Sequence, residues 1–168
     1  ITAVIAGYDI ACRAAAALAL KDKRGGYHIT GPIGCFGSAA ASGKILNLKE
    51  NQLMNALGLA GDQASGLLQY HFDGCMQKHL HGGKAAQNGL FSALLAGRGF
   101  TGSPEIFEGE YGFYNVLFRG AYDPVDLTKD LGKAFRISET SLKPYPSCRS
   151  THSPIAAALN LKQRGKID

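Results

Sequence analysis

The chain has 168 residues, 45% of them hydrophobic and 18% charged, with 22 glycines and a net charge of +5. Such a length serves one domain, or a domain plus part of another, and builds a core without disulfides. The basic residues are scattered without an interleaved aromatic stripe, which argues against nucleic acid. No continuous apolar run reaches the roughly 18 residues of a membrane span.

Few charges with a basic balance fit a small anionic substrate. Abundant glycine with little solvated surface points to close packing and to a buried or oligomeric face. The four cysteines, Cys12, Cys35, Cys75 and Cys148, form no CxxC pair, so free thiols in a reducing cytoplasm are expected. Ile1 opens in mid-pattern and Asp168 follows KQRGKI, so the chain reads as a fragment.

Helical spacing of Ala3, Ile5, Ala6, Ile10, Ala14 and Leu18 predicts a helix over 2–20. Lys21, Lys23 and Arg24 suit its C-terminus and Gly25-Gly26 its end. Residues 27–31 read as a loop. Pro32 suits a first helical residue, and a thin helix of small residues runs from it to about Leu46. A third helix is expected over 48–63, then an irregular stretch over 62–72. Lys78, His79 and His81 cluster ahead of Gly82-Gly83, and a helix follows from Lys84 to about Gly97. Residues 101–109 should form a turn and a short helix capped by Ser103 and Pro104. A short aromatic-rich segment spans 111–119, and a short helix starting at Asp123-Pro124 ends at Gly132. Residues 134–138 read as a strand or extended segment. Lys143-Pro144-Tyr145-Pro146 excludes regular helix. Ser150 or Thr151 then caps a helix through about Arg164. The change of character near 133 marks a candidate domain boundary.

Three clusters carry chemistry. His28 follows two glycines and precedes a helix start; it reads as a structural histidine or as an acid/base beside an anion site. Gly31, Gly34 and Gly37 are spaced GxxGxxG, which is no phosphate loop, and small-residue helix packing is favoured. Lys78-His79-Leu80-His81 has three readings: a metal pair of His79 and His81 if extended, an anion site in which Lys78 meets substrate and His81 orients it, or a solvated turn. In Lys143–His152, Cys148 and His152 would share a face if helical. They read as a Cys–His nucleophile, a metal pair, or a rigid loop with a buried cysteine.

Taken together, the stretches GYDIACR (7–13), GYHITGPIGCFGSAAASGKILNL (26–48), NQLMNALGLAGDQASGL (51–67), QKHLHGGKAAQNGLFSALLAGRGFTG (77–102) and SLKPYPSCRSTH (141–152) resemble the MmgE/PrpD family. That family includes 2-methylcitrate dehydratase, cis-aconitate decarboxylase and iminodisuccinate epimerase. The resemblance implies a mainly α fold: a large helical domain over 1–133, incomplete at its N-terminus, then the truncated start of an α+β lid over 134–168. It implies homodimers that work without metal or organic cofactor. His28 matches the family's active-site histidine, Lys78 the lysine of its K-x-L-H-x-G motif, and Lys143 the lysine opening the lid. These three are the expected catalytic residues, with His81, Cys148 and His152 as substrate-binding candidates. Where the decarboxylase branch carries a second histidine, five residues after that lysine, this chain has Cys148, which argues against cis-aconitate decarboxylase. Whether His152 takes over is open. An Asp- and His-containing segment that full-length members carry upstream has no counterpart here.

The resemblance therefore implies a parent enzyme that is a lyase of the 2-methylcitrate dehydratase type. It would act on a small di- or tricarboxylate by moving a proton beside a carboxylate, and this chain alone would be inactive. The alternatives are an isomerase or epimerase of a related dicarboxylate, or a non-catalytic helical remnant serving as an interaction module.

Overall fold

The computed structural model describes residues 1–18 and 26–165. The chain is mainly α-helical and divides into two units, Ile1–Ser138 and Glu139–Asp168. The first unit holds α1 (Thr2–Ala16), α2 (Thr30–Ile45), α3 (Glu50–Asp62), the short α4 (Tyr70–Asp73), α5 (Gln77–Gly97), and the short α6 (Phe113–Phe118) and α7 (Val125–Thr128). None of the described helices is long and apolar enough to cross a membrane.

Helix α2 is the axis of this unit, packed by α1, α3 and α5. Its small residues leave it no polar face: Ile33, Cys35, Phe36, Ala39 and Ala40 are all buried. Pro32 is also buried, in the first turn, where its missing N–H has no partner within the helix. The thin profile has a measurable purpose. A Cβ on Gly7 would lie 2.8 Å from the Gly37 carbonyl oxygen, and a Cβ on Gly37 equally close to that of Gly7. Helices α1 and α2 therefore touch backbone to backbone. Around Phe36 the rings of Phe107 and Phe113 close at 4.5 and 4.9 Å, and Tyr114 donates its hydroxyl to the Ala14 carbonyl at 2.9 Å. Burial pushes the Tyr114 phenol well above its ordinary pKa, with Tyr122 beside it adding to the shift.

The expected helix over 2–20 ends early, at Ala16. The next residues are engaged elsewhere: the Ala17 carbonyl accepts from Asp123 N–H at 2.7 Å, and Leu18 bridges antiparallel to Tyr122. Lys21, Lys23, Arg24 and Gly25, expected to end α1, lie outside the described residues. Helix α5 starts at Gln77, not Lys84, so Gly82 and Gly83 are helical. Residues 101–109 make turns without a short helix.

The strand expected over 134–138 is replaced by a 3-10 turn, Arg136–Glu139. Its backbone bonds to side chains of α1 in place of a neighbouring strand. Arg13, fully buried, forms an ion pair with Asp9 one turn away (Nε to Oδ2, 2.8 Å) and donates to the carbonyls of Lys129 and Ala134 at 2.6 and 2.8 Å. Arg136 N–H donates to the other Asp9 oxygen at 2.8 Å. Burial works against the Asp9 carboxylate, yet the Arg13 hydrogen bond, the Arg136 N–H and the two guanidinium charges together hold its pKa below the ordinary value.

In the second unit, a 3-10 turn (Arg149–Thr151) leads into α8 (His152–Gln163), and the prolines at 144 and 146 keep the preceding segment non-helical. Thr151 occupies the N-cap position, but its hydroxyl donates to the Cys148 carbonyl at 2.7 Å and caps no helical N–H.

Candidate active site

His28 is held by its backbone before its ring is considered. Tyr27 bridges antiparallel to Leu67, His28 N–H donates to the Gly66 carbonyl at 2.8 Å, and Leu68 N–H donates to the Gly26 carbonyl at 2.7 Å. The His28 carbonyl accepts from Gly31 N–H at 2.9 Å, on the way into α2. Gly66 makes this approach possible, because its φ of +136° is a region that side chains other than glycine's rarely allow.

The second ring comes from α5. His81 is buried at 9% exposure, and its Nδ1 lies 2.9 Å from Nδ1 of His28. Tyr70, from α4, presents itself edge-on to both rings, with centroids 5.8 Å from His28 and 5.3 Å from His81. Thr30 Oγ1 stands 3.4 Å from His28 Nε2. Lys78 is exposed one turn before His81 on the same helix. Burial first, then the charges of His81 and Lys78, hold the pKa of His28 below the ordinary value. A neutral imidazole with one nitrogen engaged and the other near a hydroxyl is equipped to take a proton at neutral pH.

Beside this pair lies a cleft of about 500 Å³, lined among others by Ser65, Gly66, Tyr70, Cys75, His81 and Lys84. A slightly larger cleft of about 580 Å³ lies against α3, but Asp62, Glu105 and Glu110 line it, an unsuitable wall for an anion.

The helical start of α5 removes the extended metal-pair reading of His79 and His81. Two residues apart on a helix they point to different sides, and His79 is exposed where His81 is buried. Among the described residues no group of three or more His, Cys, Asp or Glu is placed to hold a metal ion.

The first unit thus brings together His28, Lys78 and His81. Lys143, Cys148 and His152 belong to the second. There Lys143 Nζ donates to the Ser147 carbonyl at 3.2 Å, and the exposed Cys148 Sγ lies 3.8 Å from Ser150 Oγ. His152 is buried edge-on to Tyr145 at 5.3 Å, and its Nε2 is buried with no hydrogen-bond partner among the described residues. Cys148 precedes the helix in extended backbone (ψ 138°), so it does not share a helical face with His152. The sequence reading missed Gly66, Tyr70 and Thr30 as neighbours of His28. Thr30 could have been found only from its place two residues after His28, and Gly66 and Tyr70, about forty positions away, carry no local signal.

The family described as the MmgE/PrpD N-terminal domain matches residues 1–124. The chain is 32% identical to a cis-aconitate decarboxylase-like protein, oryM, of Aspergillus oryzae, over 97% of this chain and 35% of that protein. It is 31% identical to a cis-aconitate decarboxylase of Aspergillus terreus, over 98% of this chain and 35% of the relative. The human cis-aconitate decarboxylase is 29% identical over 82% of this chain and 28% of its own length. The chain therefore spans about a third of the length of these relatives.

Proposed function

Because this chain belongs to the MmgE/PrpD family, we propose that it forms part of the active site of a lyase acting on a small di- or tricarboxylate without metal or organic cofactor. The single observation carrying this reading is the His28–His81 contact with Lys78 one turn away, a neutral base beside a cation. In the dehydratase form, His28 Nε2 takes the proton from the carbon next to a carboxylate. The C–H electron pair becomes the second bond of the alkene, and the neighbouring hydroxyl leaves as water after gaining a proton. Lys78 and Lys143 neutralise carboxylates and the charge that develops on them. Stabilisation of that charge is usually the larger contribution, with a placed acid or base adding about 10²–10⁴-fold.

A second reading has its own support, since the relatives above carry decarboxylase names. In that form the C–CO2 bond breaks, CO2 leaves, and the electron pair left on carbon takes a proton from the imidazolium of His28. Cys148, where a second histidine is expected in decarboxylases, favours the dehydratase form.

Turnover of 2-methylcitrate, citrate, cis-aconitate and iminodisuccinate by the full-length protein, with and without chelator, separates the two. Water loss or addition is expected, insensitive to chelator, and absent in His28→Ala and Lys143→Ala. Release of CO2 from cis-aconitate assigns the decarboxylase form. Wild-type kcat/KM in either variant removes that residue from the mechanism.

A further inference from the structure

We propose that His81 is a positioning residue that shares one proton with His28 through the Nδ1–Nδ1 contact, and so decides whether the outward nitrogen of His28 is an acid or a base. The inference deepens the lyase reading and rests on it for its kinetic consequence.

At 2.9 Å the two Nδ1 atoms are within hydrogen-bond distance. A hydrogen bond between two ring nitrogens needs one protonated and one bare partner. Two arrangements satisfy this. If His81 Nδ1–H donates, His28 Nδ1 is bare, its proton sits on Nε2, and His28 presents an acid. If His28 Nδ1–H donates, Nε2 is bare and His28 presents a base, while the proton of His81 moves to its own Nε2. When Nε2 of the second form takes a proton from substrate, His28 becomes an imidazolium whose Nδ1–H still donates to His81. The pair accommodates that single added charge. A second would set two N–H groups against each other, so it is disfavoured.

The surroundings support a single-proton pair. His81 is buried at 9% exposure, so its ring has little water to turn to. The groups facing the pair are Lys78 on α5, the edge of Tyr70 on α4 and the Thr30 hydroxyl on α2, with Lys84 lining the same cleft as His81. Asp73 and Cys75 line that cleft as well, but the Asp73 carboxylate accepts from Gln69 at 2.9 Å, and among the described residues no carboxylate is hydrogen-bonded to either ring. The usual carboxylate partner of a catalytic histidine is therefore replaced here by a second imidazole.

Nitrogen NMR of the histidine rings in the full-length protein at neutral pH tests the pairing without any substrate. The two Nδ1 shifts should together account for one proton, whether localised or shared. Two protons or none overturns the proposal. Kinetics supply the second arm. His81→Phe, which keeps the ring packing on Tyr70, should lower kcat about 10²-fold with KM little changed. His81→Asn, whose amide can occupy the Nδ1 position as donor or acceptor, should restore most of the loss. Equal activity of the two variants, or wild-type kcat in His81→Phe, overturns the positioning role. If the wild type turns over none of the carboxylates, the lyase reading fails, while the ring shifts still decide the pairing.

Discussion

Arg13 meets Asp9 one helical turn away at 2.8 Å, with both side chains almost wholly buried. The pair joins α1 to residues 129–136, because the other guanidinium nitrogens take the carbonyls of Lys129 and Ala134. Removing one partner of such a pair leaves an uncompensated buried charge. Arg13→Ala should therefore cost about 3–5 kcal/mol in chemical denaturation. Arg13→Lys should recover only part of it, since an ammonium cannot reproduce the planar fork that reaches three acceptors.

The same carboxylate gives an acid signature. Its pKa is depressed in the folded state, so its contribution is complete above the unfolded value of about 3.9 and is lost as pH falls through the folded value below it. Asp9→Asn should lose that contribution at neutral pH and flatten the stability–pH curve in this acidic window. A variant curve parallel to that of the wild type would contradict the assignment.

For His28 the depressed pKa means the ring stays neutral, and competent as a base, below the ordinary histidine value of about 6.5. The acid limb of kcat/KM in the full-length protein should therefore lie below that pH. Lys78→Met removes one of the charges that disfavour the imidazolium, so the limb should move to higher pH. A limb that stays put would show that Lys78 does not act on His28.

Two glycines in similar helical settings should respond oppositely. Gly7→Ala forces a methyl against the Gly37 carbonyl and should cost about 1–3 kcal/mol. Gly83→Ala, inside α5 with no atom within 4 Å of its added Cβ, should stabilise by about 0.5–1 kcal/mol. Thermal melts of the two variants check both signs.

That contrast also marks where the sequence was legible. Helices α2, α3 and α8 follow from apolar spacing and from Pro32, Asn47 and the prolines at 144 and 146, because local rules and tertiary packing agree there. The start of α5 was hidden because Gly82-Gly83 looks like a break. The helix persists through them because its neighbouring turns bury His81 and Ala85. Residues 134–138 looked extended because nothing local announces that Asp9 and Arg13 will bond their backbone from more than a hundred positions away. His28 and Lys78 stand out by type. The contact of His28 with His81 spans 53 positions and follows only from the crossing of α5 over the start of α2.

The backbone contact between Gly7 and Gly37 bears on how such a site can change over evolutionary time. Where two helices meet main chain to main chain, no swap of side-chain volume can slide one along the other, and every added atom pushes them apart. The seat of His28 is in that sense frozen. The rim of the cleft is not: Ser65, Leu67 and Gln69 are exposed and lie outside the long helices. A lineage shifting from one carboxylate to another would find its variation there, around a histidine pair whose position the scaffold does not let drift.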